Sequence, residues 1–233
     1  MKSDHDSTLP ETDESAIRSR ILDAAERLWA QEGIGNVSLN RIRQAAGARN
    51  SSAISYHFGT KEDLVLAVRA RHVAGVNRER LELLKQVDLS NRTVALRSIA
   101  EALIVPFSAR LKGPSYKGYY VQFVAQFYSD PSWRVARAIR GQHDGGLRKA
   151  DKLLQTVLTE VPAWVVNHRL NQAIALGIYT LANWDRVERW PKPPRSHLPK
   201  ATVLALLADS AVGIFAAPTS AVDEQLRRPD RSQ

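Results

Sequence analysis

The chain has 233 residues, of which 44% are hydrophobic and 24% are charged, and its formal net charge at pH 7 is +9. This composition predicts a globular protein with one large domain or two small ones, and the positive charge favours a polyanionic partner without specifying which. The sequence has no cysteine, which excludes disulfides, thiolate metal sites and cysteine nucleophiles.

Residues 1–14 have five acidic side chains and one lysine. They show neither the apolar core of a signal peptide nor an apolar periodicity, so we predict a disordered acidic arm. No apolar run in the chain approaches the roughly 18 residues that a membrane-spanning helix needs. We therefore expect a cytoplasmic protein that does not bind membranes.

Helical periodicity begins after this arm. Apolar side chains recur every three to four positions from Ile17 to Trp29, which predicts a first helix that ends at Gly33. Ser38 is a suitable N-cap for a short second helix through Ala46.

A turn at Gly47 leads to a third short helix, which we expect Asn50 or Ser51 to cap and which ends near Phe58. The sequence Thr60–Asp63 resembles a capping box, with aspartate in its third position after the cap. It predicts the start of a longer fourth helix.

The remaining chain also has helical periodicity, in segments near residues 92–112, 116–129, 131–159, 162–189 and 200–217. Pro106 should kink or break the first of these, because proline cannot donate a backbone hydrogen bond. No stretch alternates convincingly with a period of two, so we predict an all-α fold with about nine helices. The predicted parts are the arm (1–14), a three-helix domain (15–60), a larger helical domain (61–217) and a flexible tail (218–233).

The stretch between Gly33 and Lys61 combines the two short helices with a charge bias. It contains no aspartate or glutamate and has four basic residues, Arg41, Arg43, Arg49 and Lys61. A DNA-binding helix-turn-helix needs a tight turn, small residues where its helices cross, and polar or basic side chains on its exposed face. This stretch meets all three needs, although similar helix pairs also occur in bundles that bind no DNA. It predicts a DNA-binding domain.

We expect the exposed polar side chains of this domain to contact double-stranded DNA. Arg49 is the best candidate for a bidentate contact to guanine, whereas Lys61 is placed to bind a phosphate. The alternatives are a solvated charge for Arg41, a local cap for His57 and core packing for Tyr56. The predicted DNA-contacting residues are Ser38, Arg41, Arg49, Asn50, Ser51, Ser52, Ser55, Tyr56, His57 and Lys61.

A dense set of residues between positions 17 and 66 also recurs in one known family. The set consists of Arg20-Ile-Leu-Asp-Ala-Ala, Leu28, Gly33, Ser38, Ile42, Ala45-Ala46-Gly47, His57-Phe58, Lys61 and Leu64. It resembles the N-terminal signature of the TetR family of transcriptional regulators. The resemblance implies a homodimeric, ligand-responsive repressor whose third helix reads a pseudo-palindromic operator.

The sequence departs from the family pattern in the third helix. Ser55 stands where an aromatic residue is usual, and the spacing from Gly47 to His57 is one residue longer than the common form. The turn or the start of the third helix must absorb this residue. Which of residues 49–51 reaches a base edge is therefore left open.

A repressor needs a signal, and in a helical domain that signal is most simply a small apolar or amphipathic molecule bound between helices. The region 103–133 is rich in aromatic residues, although core packing is the simpler explanation for most of them. The predicted effector-binding residues are Phe107, Tyr119, Tyr120, Phe123, Phe127, Trp133, Arg137, Trp164 and His168.

The last two long helices have faces too apolar to leave exposed, which predicts a homodimer with a two-fold, four-helix interface. The alternative is that one of these faces belongs to the core of the single chain. The predicted interface residues are Ala173, Leu176, Gly177, Thr180, Leu181, Val203, Leu206, Leu207, Ser210 and Ile214.

The resulting hypothesis is a distance switch. An effector bound between the fourth and seventh helices tilts the fourth helix and changes the separation of the two recognition helices in the dimer. One alternative is an architectural DNA-binding protein that needs no ligand. An enzyme is a more remote alternative, because the six histidines form no HExxH pair and no carboxylate pair is placed for acid–base chemistry. No cofactor, metal ion or catalytic residue is predicted.

Overall fold

The computed structural model describes residues 11–113, 117–129 and 145–219, without the side chains of residues 11–13. Over these ranges the chain forms nine α-helices, one 3-10 helix and no strand, which confirms the predicted all-α fold. The 3-10 helix spans Val105–Arg110. The α-helices are α1 (Glu11–Glu32), α2 (Leu39–Ala45), α3 (Ala53–Phe58), α4 (Lys61–Lys85), α5 (Arg92–Ile104), α6 (Tyr120–Ser129), α7 (Gly145–Val157), α8 (Ala163–Glu188) and α9 (Lys200–Ala216).

The first helix starts earlier than the sequence predicted. α1 begins at Glu11, inside the stretch 1–14 that we expected to be disordered, while residues 1–10 lie outside the described ranges. The helix ends at the expected glycine. Gly33 has a φ of 88°, which other residues rarely adopt, and its amide donates to the Trp29 carbonyl oxygen at 2.9 Å.

Two predicted caps lie at the starts of helices. Ser38 is the N-cap of α2, and its Oγ accepts a hydrogen bond from the Arg41 amide at 3.2 Å. Before α4, the Thr60 amide donates to Asp63 Oδ2 at 3.1 Å, and the Asp63 amide donates back to Thr60 Oγ1 at 3.1 Å. These reciprocal bonds confirm the predicted capping box.

The described residues fall into two compact units. The first contains residues 11–72 and 118–129, and the second contains residues 73–113, 117 and 145–219. The boundary thus falls within α4, after His72. α6 belongs to the first unit, although the sequence placed it in the larger helical domain.

α1 is the central helix of the first unit, where it packs against α2 and α6. Its fully buried face includes Ile21, Ala25 and Trp29. The Trp29 ring stacks on that of Phe123 in α6, with ring centroids 6.1 Å apart. The buried apolar face of α1 thus stabilises the packing of both α2 and α6 against this helix.

α5 is the central helix of the second unit and packs against α7, α8 and α9. Pro106 breaks this helix as predicted, because the chain continues from Val105 as a 3-10 helix. The core of the unit includes Leu154, Leu158 and Phe215, which are all fully buried.

Two buried side chains at the end of α8, Trp184 and Asp185, form hydrogen bonds with neighbouring loops. Asp185 is fully buried and accepts hydrogen bonds from the Lys112 amide at 2.5 Å and from Arg189 Nη2 at 2.9 Å. The Trp184 indole donates to the Leu198 carbonyl oxygen at 2.8 Å. These bonds satisfy buried polar groups and fix the segments that follow the 3-10 helix and α8.

Candidate nucleic-acid interface

Two cations among the residues predicted to contact DNA bond to the protein itself. Arg41 Nη1 lies 2.5 Å from Glu32 Oε2, at the end of α1. Lys61 Nζ donates to the Val37 carbonyl oxygen at 2.9 Å, which joins the first residue of α4 to the residue before the α2 cap. Both cations therefore help to hold α2 against its neighbouring helices.

Arg43 spans the turn between α2 and α3. Its Nε and Nη2 donate to Asn40 Oδ1 at 3.1 and 3.0 Å, and its Nη1 donates to the Ala48 carbonyl oxygen at 2.7 Å. The side chain is half-buried. Because it satisfies a backbone carbonyl of the turn, we assign Arg43 a stabilising role.

The turn after Gly47 extends to Ser52. Gly47 has a φ of 67°, which lets the chain reverse after α2. Asn50 Oδ1 then accepts bonds from the Ser52 amide at 3.0 Å and the Ser52 hydroxyl at 2.8 Å, which forms an Asx turn. α3 consequently starts at Ala53, later than the sequence predicted, and residues 49–52 precede it.

α3 buries its first two residues and exposes the next two. Ala53 and Ile54 are buried, whereas Ser55 is exposed and Tyr56 is 73% exposed. The Ser55 hydroxyl donates to the Ser52 carbonyl oxygen at 2.9 Å. Tyr56 is therefore the large side chain that this helix presents to solvent.

The first turns of α1 flank the end of α3. His57 and Phe58 are half-buried, and the Arg18 guanidinium lies 5.0 Å from the centroid of the Phe58 ring. A hydrogen bond to the Glu14 carboxylate raises the pKa of the Tyr56 hydroxyl. The hydroxyl is thus a donor at neutral pH, either to this carboxylate or to an incoming acceptor.

Arg49 and Ser51 differ from the other predicted DNA-contacting residues. Both are exposed, and within the described part of the chain no hydrogen bond or ion pair engages either side chain. With Ser55 and Tyr56 they form what we call the reading face. Arg49 and Ser51 can reach a groove without giving up a protein partner.

The capping box also fixes the connection between α3 and α4. Hydrogen bonds from the Thr60 hydroxyl and amide hold the pKa of Asp63 below its ordinary value. The carboxylate is therefore ionised near neutral pH, at the positive end of the α4 helix dipole.

The predicted effector-binding residues are divided between the two units. In the first unit, Tyr120, Phe123 and Phe127 of α6 are buried, and Tyr119 directly precedes that helix. The rings of Phe123 and Phe127 have centroids 6.1 Å apart. Core packing, the alternative left open by the sequence, accounts for the three residues of α6.

In the second unit, Phe107 is buried, whereas Trp164 is 46% exposed and His168 is exposed on α8. Trp133 and Arg137 lie outside the described residues. The structure therefore does not gather the predicted residues into one pocket within either described unit.

A small apolar cavity lies between the end of α5 and α8. Its volume is about 10 Å³, which is close to the minimum that one water molecule needs. A larger guest would have to separate the surrounding helices. The lining residues are Leu103, Ile104, Phe107, Ala173, Ile174, Gly177, Ile178 and Leu181.

The predicted dimer residues are of two kinds. Ala173, Gly177 and Leu181 of α8 and Val203 and Leu207 of α9 are buried within the second unit. The single chain itself covers them, as the alternative of a core face within the chain predicts for these five residues. The members that are at least partly exposed are Leu176, Thr180, Leu206, Ser210 and Ile214.

A buried ionisable pair in the first unit was not predicted. Glu26 is 4% exposed, and its Oε2 lies 2.8 Å from His72 Nε2. The sequence carried one signal for it, because Glu26 lies on the apolar face of α1, one turn from both Leu22 and Trp29. Its partner on α4 had no comparable signal.

Two family models match the sequence. The model described as bacterial regulatory proteins of the tetR family matches residues 21–68. The model described as the tetracyclin repressor-like C-terminal domain matches residues 101–213. Together they cover more than half of the chain, including the helix-turn-helix. No curated protein is significantly similar to the sequence.

Three similar solved structures support the fold. PfmR from Thermus thermophilus has a TM-score of 0.50 and 23% identity, over 83% of this chain and 97% of that one. A TetR-family regulator from Mesorhizobium loti has a TM-score of 0.50 and 16% identity, over 88% and 97%. NalD, the secondary repressor of the MexAB-OprM multidrug efflux pump in Pseudomonas aeruginosa, has a TM-score of 0.50 and 18% identity, over 84% and 96%.

Within the described ranges, no helix is long and apolar enough to cross a membrane. In the same ranges, no group of three metal-ligating side chains comes together. The helix-turn-helix, the all-α architecture and both family matches agree with one another. The chain therefore belongs to the TetR family of transcriptional regulators.

Proposed function

We propose that the protein is a homodimeric repressor that binds a pseudo-palindromic operator through α2 and α3 and is released by a small apolar or amphipathic effector. One observation carries the proposal. Arg49 is exposed and has no side-chain partner in the described residues, while the other cations of the helix-turn-helix bond to the protein. A bidentate arginine–guanine contact discriminates between base pairs by about 1–3 kcal/mol.

In this proposal α2 braces the DNA backbone and the reading face lies in the major groove. Ser51, Ser55 and Tyr56 supply further hydroxyl groups beside Arg49. Lys61 can bind a phosphate as well as Val37, because an ammonium group has three donors and the Val37 carbonyl uses one of them. The remaining predicted residues would support these contacts at the flanking DNA backbone. They are Ser38, Arg41, Asn50, Ser52 and His57.

A two-fold dimer would place a second reading face about 34–36 Å away, one turn of DNA from the first. Leu206 of α9 is 50% exposed, and Ile214 of α9 and Leu176 of α8 are half-exposed. Burial of these side chains in a dimer would remove apolar surface from water. This exposure supports a homodimer through the outer faces of α8 and α9.

The cavity beside α8 is lined by apolar side chains. This lining supports an effector with an apolar contact surface. A guest that opened the cavity would displace Phe107 and with it the 3-10 helix. Arg110 of that helix pairs with Glu79 of α4, with Nη2–Oε1 and Nη1–Oε2 distances of 2.9 and 3.1 Å. Displacement of the 3-10 helix can therefore pull on α4, whose first residues follow the helix-turn-helix.

A ligand-independent DNA-binding protein is the second candidate. The observation that favours it is the small cavity volume of about 10 Å³. Such a protein would bind the same DNA but show no effector response. A thermal-shift screen with acyl-CoAs, steroids, flavonoids and antibiotics separates the two, because an effector that binds the folded state raises the unfolding temperature.

The DNA-binding proposal is tested by selection from a random duplex library with the purified protein. We expect enrichment of one pseudo-palindrome, bound by two protomers with an affinity that falls steeply as salt rises. This enriched sequence is the selected duplex in the experiments below. Failure to enrich any sequence, at low salt as well as at physiological salt, would contradict the proposal.

A further inference from the structure

Glu26 connects three helices of the first unit through one buried carboxylate. Its Oε2 lies 2.8 Å from His72 Nε2 of α4. Its Oε1 accepts a hydrogen bond from the Tyr119 amide at 2.6 Å. The Tyr119 carbonyl oxygen in turn accepts from the Phe123 amide, so Tyr119 is the residue with which the α6 hydrogen-bond pattern begins. A residue of α1 therefore holds both α4 and the start of α6.

The surroundings favour the ionised carboxylate. Burial by itself raises the pKa of Glu26, but the hydrogen bond and charge of His72, the Tyr119 amide and the charge of Arg71 outweigh it and leave the pKa below its ordinary value. Arg71 also pairs with Asp23 of α1. The Tyr120 ring, with a centroid 4.3 Å away, faces the His72 ring from α6.

We propose that Glu26 and His72 are positioning residues for DNA binding: by linking α1 to α4 they set the location of the reading face. The strength of this link depends on the protonation of His72. This inference rests on the proposed function. α4 starts three residues after the end of α3, and Lys61 at its first position bonds to Val37 beside α2. A shift of α4 along α1 would therefore act on α3 through this short connection and on the start of α2 through Lys61.

The chemistry of the pair indicates more than a packing role. A buried ion pair costs desolvation, and well-packed apolar side chains usually fill such a site at least as stably. What apolar side chains cannot supply is a fixed direction and a dependence on pH. Imidazole groups in general exchange their proton between about pH 5 and pH 8. Loss of that proton removes the positive charge of the imidazole and leaves at most a hydrogen bond from the neutral ring to the carboxylate.

The test compares Glu26→Gln, His72→Gln and the double variant Glu26→Leu/His72→Leu with the wild type. Affinity for the selected duplex is measured from pH 6 to pH 8.5. His57, which lies at the end of α3, is present in every protein and cancels in the comparison. A matched control is His197→Gln, which removes a histidine that pairs with Glu188 at 3.0 Å in the second unit.

We expect wild-type affinity to fall several-fold more steeply with rising pH than that of His72→Gln, and His197→Gln to keep the wild-type profile. Both single variants should bind about ten-fold more weakly at pH 6. The apolar double variant should unfold at a temperature close to wild type yet bind weakly at every pH. This combination separates positioning from stability.

Amide hydrogen exchange without DNA supplies a second measurement. Protection of the Tyr119 amide should drop in Glu26→Gln and should fall with rising pH in the wild type more than in His72→Gln. The inference is overturned if His72→Gln keeps the wild-type pH profile of binding, or if both single variants bind as tightly as wild type. If the wild type itself selects no duplex, the proposed function fails first and the inference with it, so the two failures are distinguishable.

Discussion

Lys61 Nζ lies 2.9 Å from the carbonyl oxygen of Val37, so the cation that the sequence assigned to a phosphate also closes the helix-turn-helix. We predict that Lys61→Met lowers the free energy of unfolding by about 1 kcal/mol, because a charged donor is lost from a backbone carbonyl. Urea unfolding followed by circular dichroism measures this change.

The control for this change is Lys85→Met at the other end of α4. Lys85 pairs with Glu82 at 2.7 Å, but both side chains are exposed, and such surface pairs contribute little. An unchanged stability of Lys61→Met, together with a loss of about one unit from the salt slope of DNA binding, would assign Lys61 to phosphate alone.

Arg49→Ala should separate DNA binding from stability. Because Arg49 is exposed and has no side-chain partner in the described ranges, we expect an unchanged free energy of unfolding. Affinity for the selected duplex should fall by about 1–3 kcal/mol, with relaxed preference at one guanine position. Competition binding against duplexes substituted at single positions measures both effects.

Arg195→Ala is the matched control for Arg49→Ala. It removes the same charge from an exposed residue in the loop between α8 and α9 of the second unit. Equal binding by the two variants would mean that only net charge matters and that Arg49 reads no base.

The capping box predicts a pH dependence of stability. The pKa of Asp63 is lowered in the folded state by the hydrogen bonds from Thr60. A carboxylate with a lowered folded-state pKa stabilises the fold above its unfolded value, near pH 4, and that contribution disappears as pH falls through the folded value. Wild type should therefore be more stable than Asp63→Asn at pH 7, and the two should converge in strong acid.

Glu62→Gln controls for charge at the same helix start, because it removes a neighbouring carboxylate that lies outside the capping box. A difference between wild type and Asp63→Asn that stays constant down to pH 2 would show that the Asp63 bonds contribute no ionisation-linked stability.

The features that the sequence predicted well depend on residues close together in the chain. Ser38 caps α2, Thr60 and Asp63 form their capping box, and Pro106 ends α5. Each of these follows from hydrogen bonds or steric limits within four residues. Such local chemistry also predicted the helix-turn-helix, whereas the family came from the resemblance of residues 17–66 to a known signature.

The features that the sequence could not predict depend on distant partners. Glu26 and His72 are 46 positions apart, and Glu26 and Tyr119 are 93 apart. The periodicity of α1 shows that Glu26 lies on the apolar face of the helix, but it does not identify the residues that contact Glu26. The late start of α3 likewise depends on the competition between an Asx turn at Asn50 and a helix cap, two structures that the same residue favours.

For the apolar faces of α8 and α9, too, the sequence could not identify the partner. Periodicity identifies an apolar face but not whether the chain or a second copy covers it. We predict that Leu206→Glu dissociates the proposed dimer, because Leu206 is 50% exposed in the single chain and an interface there would bury the charge. Light scattering after size exclusion should show the mass of a monomer, with an unchanged helical spectrum and lost duplex binding.

Leu89→Glu is the matched control, since Leu89 is 44% exposed in the loop between α4 and α5. It should leave the mass of the dimer and duplex binding unchanged. A dimeric Leu206→Glu protein would place the interface elsewhere on the second unit.

Two glycines within helices should respond differently to alanine. A Cβ at Gly177 of α8 would meet Ile104 Cγ1 at 3.6 Å, an ordinary contact, whereas a Cβ at Gly75 of α4 would lie 2.7 Å from Arg110 Nη2. Gly177→Ala should therefore raise the free energy of unfolding by about 0.5–1 kcal/mol through helix propensity. Gly75→Ala should bring no gain, because the Arg110 guanidinium must leave its pair with Glu79. Urea unfolding of both variants decides this, and equal stabilisation would show that the pair shifts without cost.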